Sequence, residues 1–219
     1  MRVLALGDMH GDLASVHRAI DQTAPDLILS CGDWGDPEEV AEQDLRSVID
    51  RVPVYTTFGN HDPVELLGRL RNHDGSNVLM PQGAVVSAAG LRFAAIGGIW
   101  AKSHARPYYV TDVDVDQAAR VIAAAGPVDV LLTHGCPIGM ADRTPSGRPG
   151  GQLCFLLAFQ TIQPQVHLCG HLHLAQEHIL KDGRKVLNVG QCSRGSAVLL
   201  ERDQPGDPVS ARLISIPVT

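Results

Sequence analysis

The sequence has no Cys-x-x-Cys pair; its five cysteines, Cys31, Cys136, Cys154, Cys169 and Cys192, stand singly along the chain. An odd number of thiols without paired spacing suggests neither a zinc finger nor a disulfide framework, so a reducing, cytoplasmic setting is expected. No apolar run reaches 18 residues, and residues 2–6 are too short for the apolar stretch of a signal peptide, so neither a membrane span nor export is expected. Repeats, low-complexity tracts and a composition break that would mark a linker are also missing, which leaves one domain over residues 1–219 as the expectation. Basic residues are in the minority, 18 Lys and Arg against 24 Asp and Glu, for a net charge of −6. Such a balance disfavours non-specific binding of nucleic acid by counterion release, though it says nothing against a local positive site.

What is present reads as an ordinary globular chain, with 44% hydrophobic and 19% charged residues. Residues 3–6, 27–29 and 52–58 are apolar runs that suit strands buried on both faces. Between them, Leu13, Val16, His17 and Ile20 recur at helical spacing, and a second helix is expected from Pro37 through Val40, Leu45, Val48 and Ile49. A third helix follows at 63–70. Strand, polar turn and helix thus repeat three times, which predicts a parallel sheet with ligands at the carboxyl ends of its strands. Short runs at 78–80, 85–89 and 91–96 read as antiparallel strands, so the sheet becomes mixed. Further strands are expected at 128–132, 166–169, 186–189, 197–200 and 212–216, a helix at 114–125, and a helix apolar on most faces, hence buried, at 153–162. The stretches 100–112 and 138–152 read as long loops, the first placed to overhang a site.

Polar clusters follow five of the apolar runs. They are Asp8 with His10, Gly32 with Asp33, the run Gly59, Asn60, His61, Asp62, then His134, and finally Gly170, His171 and His173. Any one is an ordinary turn, since Gly, Asn and Asp are common there. Together they offer two aspartates, an asparagine and four histidines, and oxygen and imidazole donors without thiolate suit Mn, Fe or Zn in a reactive site better than a structural zinc. Seven donors exceed one tetrahedral ion and nearly fill two sites if a carboxylate bridges. Two ions sharing a hydroxide are the usual apparatus for in-line attack on phosphorus.

The blocks Asp8-x-His10, Gly32-Asp33-x-x-Asp36 and Gly59-Asn60-His61-Asp62 resemble those of the calcineurin-like metallophosphoesterases. The spacing agrees, with 25 positions from Asp8 to Asp33 and 27 from Asp33 to Asn60, and His134 with Gly170-His171-x-His173 extends the pattern. The resemblance implies a four-layer α/β/β/α sandwich, two mixed sheets flanked by helices, with two divalent ions, manganese first and iron or zinc as alternatives. It implies that Asp8, His10, Asp33 and His173 hold one ion and that Asp33, Asn60, His134 and His171 hold the other, with Asp33 bridging. His61 would stand beside the ions without binding them and stabilise the transition state or protonate the leaving oxygen.

The implied reaction is hydrolysis of a small-molecule phosphoester. At the second block Asp36 is followed by Pro37-Glu38 rather than the Arg-Gly of the family's protein phosphatases, which favours a phosphodiesterase acting on a cyclic nucleotide or other small diester. A phosphomonoesterase or nuclease of the same superfamily is the alternative, and a scaffold that keeps the fold without catalysis is the non-enzymatic one. Around the site, Trp34, Arg143 and Arg148 are candidates for substrate contact beside Asn60 and His61, each with an equal or stronger claim to packing or solvent. Asp36 and Asp62 are candidates either to orient an imidazole or to cap a turn. Tyr108, Tyr109 and Trp100 could stack a nucleobase, with packing the plainer role.

Overall fold

The first strand, β1 (Arg2–Leu6), buries every residue after Arg2, and its side chains divide by alternation. Val3 and Ala5 face one apolar cluster, Leu4 and Leu6 another. That two-sided burial explains why the run is apolar without interruption. The chain is seen in a computed structural model that describes residues 1–218.

From β1 the chain passes through α1 (Leu13–Thr23), β2 (Leu27–Ser30), α2 (Glu42–Ile49), β3 (Val54–Thr56) and α3 (Val64–Arg69). It continues through β4 (Val85–Ala88), β5 (Leu91–Ile96), the short β6 (Ile99–Trp100) and β7 (Tyr109–Val110), α4 (Asp112–Ala124) and β8 (Val130–Thr133). Then come α5 (Leu153–Ile162), β9 (Val166–Cys169), β10 (Gln176–Ile179), β11 (Lys185–Asn188), a 3-10 turn (Cys192–Arg194), β12 (Ser196–Glu201) and β13 (Ser210–Ser215).

One sheet runs β13-β12-β1-β2-β3, with β1, β2 and β3 parallel, β12 antiparallel to β1 and β13 antiparallel to β12. The other runs β10-β11-β9-β8-β5-β4, four parallel strands with an antiparallel strand on each edge. A shared core binds the sheets face to face: Val3, Leu29 and Val198 from the first meet Phe93, Leu132 and Leu168 from the second. On its outer side the first sheet packs Leu4 and Ile28 against Val16 and Ile20 of α1 and Leu45 and Val48 of α2. The second sheet does the same with Ala94 and Leu131 against Val115 and Ile122 of α4 and Phe155 of α5. The result is helix, sheet, sheet, helix, the expected four layers.

Local expectations are corrected in four places. The second helix starts at Glu42 instead of Pro37; residues 37–39 form a turn, and the Asp44 carboxylate accepts from the Ala41 N–H at the helix start (2.9 Å). Residues 78–80 join the first sheet's edge only through a single parallel bridge, Leu79 to Thr56, and form no strand. Strand β5 is antiparallel to β4 but parallel to β8. Helix α5 is not buried on most faces: Leu153 and Leu157 are 58% and 51% exposed, because only one side of it meets the sheet and α4.

Strand β9 also puts His167 into the layer beneath α5, fully buried and stacked on Phe159 with ring centroids 5.8 Å apart. The Thr133 hydroxyl donates to the Gly135 carbonyl (2.6 Å) and so accepts from His167 Nε2 (2.8 Å), leaving Nδ1 bare. Burial holds this ring neutral, pushing its pKa down to about 3. Below the ordinary histidine value the unfolded chain takes up a proton that the folded one refuses, so stability falls as the pH drops from about 6.5 towards 3. Between pH 7 and pH 5 this one group costs about 2 kcal/mol. Urea unfolding of the chelator-treated protein at both pH values is expected to show that loss, and His167→Gln to show a loss smaller by about the same amount. Equal losses in both proteins would rule the ring out as the cause.

Candidate metal centre

Five strand ends converge at one edge of the sandwich. Asp8 follows β1, Asp33 follows β2, Asn60 and His61 follow β3, His134 follows β8, and His171 and His173 follow β9. The turns that deliver them are tight: Asp8, His10, Asp33, His171 and His173 have φ of 55°, 48°, 60°, 69° and 58°. The left-handed region costs an L residue about 1–2 kcal/mol, so these five are held there by their surroundings. Main-chain bonds supply the hold. Met9 and His10 N–H groups donate to the Asp33 carbonyl (2.8 and 3.1 Å), and Gly170 N–H donates to the His134 carbonyl (3.0 Å).

One ligand atom each from Asp8, His10, Asp33 and His173 lies within 4.8 Å of the others. His173 Nε2 is 3.4 Å from Asp8 Oδ1 and 3.1 Å from His10 Nε2, which is 3.9 Å from Asp33 Oδ2. The same Asp33 oxygen is 3.4 Å from His134 Nε2, whose ring is 5.1 Å from that of His171. Asp33 therefore stands between two groups of donors. Gly59 makes the approach geometrically feasible, since a Cβ there would collide with Asp33 Oδ1 and lie 2.5 Å from His134 Cε1. At Gly170 a Cβ would come within 2.8 Å of Asp8 Oδ2.

The electrostatics of the donors fit divalent cations. Asp8 and Asp33 are buried to 0% and 1% exposure, and among the described residues neither pairs with lysine or arginine. Buried carboxylates without a positive partner are expensive. His134 is oriented by the Cys31 carbonyl at Nδ1 (2.8 Å), which leaves Nε2 buried with no hydrogen bond, and Asn60 Oδ1 is likewise buried and unpartnered. Orphaned acceptors beside unpaired carboxylates are what a cation would satisfy.

The proton affinities carry the same signal. Burial pushes the Asp33 carboxyl up, but the His134 charge, the His61 N–H (2.8 Å) and the charges of His10 and His61 outweigh it and hold it below the ordinary value. Burial disfavours charge on His134, yet the Asp33 and Asp8 carboxylates raise it above the usual imidazole value. His171 is pushed down to about 4 by burial and by the His134 charge. The hydrogen bond to Asp8 raises His173, with exposed Arg194 close enough to oppose it.

The two uncertain aspartates separate cleanly. Both oxygens of Asp36 lie 3.1 Å from His61 Nδ1, so Asp36 orients the imidazole. Asp62 touches no ring; it accepts from the N–H groups of Asp33, Trp34 and Gly59 (2.7, 2.8 and 2.6 Å), clamping the second and third blocks together. Burial, then the Asp33 charge, raises Asp62 to about 7. Of the two roles the sequence offered it, holding a turn is the one the structure shows. His61 packs edge-on to His10 with ring centroids 5.2 Å apart.

The remaining candidates lie elsewhere. Trp34 is 1% exposed in the outer core of the first sheet, with Nε1 donating to Thr56 Oγ1 (3.0 Å), so it covers the strand ends from within. Arg143 and Arg148 are in the exposed 138–152 loop, where Arg143 donates to the Gly147 carbonyl (3.0 Å) and lines a separate cavity with Gln176 and His178. All five cysteines are buried and free. Among the described residues no helix is long and apolar enough to cross a membrane.

Comparison with known proteins agrees with this geometry. The chain is 22% identical over 267 residues to a lariat debranching enzyme of Arabidopsis thaliana, covering 91% of this chain and 62% of that one, so it spans less than two thirds of that relative's length. It is 27% identical over 222 residues to a UPF0046 protein of Caenorhabditis elegans, covering 90% of this chain and 72% of that one. Among solved structures, TT1561 of Thermus thermophilus superposes with a TM-score of 0.74 at 14% identity, over 99% of both chains, and so shares the fold. A family model described as calcineurin-like phosphoesterase matches residues 1–175, a span that takes in every strand end bearing a donor, and the chain belongs to that family.

Proposed function

We propose that the protein is a phosphoester hydrolase dependent on two divalent ions, manganese first, and that it prefers small diesters to monoesters. The observation that carries the reading is Asp33, a buried carboxylate paired with histidines and with no lysine or arginine among the described residues, set between two groups of donors in which Asn60 Oδ1 and His134 Nε2 lack a hydrogen bond. Asp8, His10, Asp33 and His173 would hold one ion, and Asp33, Asn60, His134 and His171 the other. When bound, the ions supply positive charge that attracts the ester and make water acidic enough to act as nucleophile near neutral pH. His61, kept in one orientation by Asp36 at Nδ1, is left with Nε2 to meet charge on the phosphoryl group or give a proton to the departing oxygen. Asp62 fixes the distance between the Asp33 and Asn60 turns. The diester preference is supported by Pro37-Glu38 in place of the Arg-Gly of the family's protein phosphatases. Residues 1–219 act as one unit in the cytoplasm, where the buried thiols stay reduced.

Debranching of a lariat, the activity in one relative's name, is the second reading; the net charge of −6 weighs against it. The test is a panel of mono-, di- and cyclic phosphoesters offered to metal-stripped protein reloaded with Mn²⁺, Fe²⁺ or Zn²⁺. Hydrolysis of bis(4-nitrophenyl) phosphate is expected to return with metal and to exceed that of 4-nitrophenyl phosphate at least about tenfold, a difference of ~1.4 kcal/mol between the two barriers. The reverse order would make it a monoesterase, and silence with every ion would make it a scaffold.

A further inference from the structure

A cavity of about 530 Å³ opens beside the donors and is not used by them. Asn60 and Asp36 line it at the chemical end, Pro63, Val64 and Leu66 line it from the start of α3, and Pro107 and Tyr108 line it from the loop between β6 and β7. Its size matches a site for an organic ligand. Most of its lining is apolar, whereas a bare phosphate would call for polar donors throughout. Tyr108 is half-buried, lines the cavity, makes no side-chain hydrogen bond and packs at 90° to the Tyr109 ring with centroids 5.1 Å apart, a contact that steadies the ring at the cavity wall. The backbone beneath the ring is fixed. The Tyr108 carbonyl accepts from the Ile99 N–H (3.0 Å), the Tyr109 N–H donates to Arg106 (3.0 Å), and the Ala101 N–H donates to Val110 (2.9 Å). Gly98, at φ 84°, allows the close approach, because a Cβ there would sit 2.7 Å from the Tyr108 carbonyl. At the rim, Arg69 has no ion pair among the described residues.

We propose that this cavity is the specificity pocket of the hydrolase, and that it receives a flat, largely apolar ring carried by the phosphoester, with Tyr108 as the stacking residue. The inference rests on the hydrolase reading, because the pocket matters to the reaction only if phosphorus sits by Asn60. Flat rings suit it better than flexible chains: Tyr108 and the two prolines offer rigid faces, and a ring stacks with little loss of conformational freedom. An unpaired guanidinium at the rim adds an attractive contact for a π face.

The experiment is calorimetric titration of the Mn²⁺-loaded protein with phenylphosphonate and methylphosphonate, whose P–C bonds resist hydrolysis, with ester hydrolysis followed in parallel. The parent is expected to bind the phenyl compound about tenfold more tightly, Tyr108→Ala to bring the ratio close to one, and Tyr108→Phe to keep it. Equal affinities in the parent, or loss of the ratio in Tyr108→Phe, would overturn the proposal. A tenfold ratio in a protein that hydrolyses nothing would keep the pocket while removing the hydrolase reading; brisk hydrolysis with no ratio would do the opposite.

Discussion

His61→Ala is expected to lower kcat for diester hydrolysis by about 10²–10⁴-fold, the range for losing one positioned acid or charge stabiliser, while the protein keeps its two ions. The separation of effects follows from the geometry. The His61 main-chain N–H, which donates to Asp33 Oδ1, survives the substitution, so the turn and the bridging carboxylate stay in place. The imidazole is 42% exposed, and its removal leaves no buried cavity to collapse. Asp36→Asn is expected to act in the same direction but less, by about tenfold, since the amide still accepts a hydrogen bond at Nδ1 without the charge. Metal analysis and steady-state kinetics on the two variants check this. Undiminished turnover in His61→Ala would remove the ring from the mechanism, and loss of metal would make it a ligand.

The second large effect is expected from Asp33→Asn, which should lose both ions and with them hydrolysis by more than about 10³-fold. Asparagine is the demanding choice because it changes little else: it tolerates the left-handed φ of 60° and can still accept the His61 N–H at Oδ1. What disappears is the negative charge 3.4 Å from His134 and 3.9 Å from His10. In the metal-free state, despite its burial, that carboxyl is held below the ordinary carboxylate value by the His134, His10 and His61 rings, so the stripped variant is expected to melt below the stripped parent near neutral pH. Adding Mn²⁺ should raise the parent's Tm, by an amount set by the free ion concentration over Kd, and leave the variant's unchanged. Full metal occupancy in Asp33→Asn would refute a bridging role.

The site was unusually legible in the sequence because each donor lies within a few residues of a buried strand's end. Buried parallel strands are continuous apolar runs, and a polar residue such as Asp8, Asp33 or His134 directly after one is marked by contrast. The strands were legible for the same reason, whereas their division into two sheets and four layers was implied by the family resemblance. What stayed hidden depends on contacts between distant segments. Asp62 looks like any turn aspartate, and its clamp on Asp33, Trp34 and Gly59 exists only once the second and third turns meet. The 153–162 run carries apolar residues on most faces, so periodicity could not show that Leu153 and Leu157 would remain in solvent. The short apolar run at 78–80 suited a strand, but the segment meets the sheet edge at one bridge. The sequence marked 100–112 as a loop that overhangs a site and Tyr108 as able to stack a ring, but which strand end it meets depends on the β6–β7 pairing, which brings it to Asn60.

The five donors with left-handed backbones set heat resistance against chemistry at the same positions. Glycine would relieve each of those conformations, so selection for endurance alone would erode the donor set one member at a time. A laboratory lineage evolved only to survive heating, with no demand for turnover, would therefore drift towards a sturdier and inert descendant.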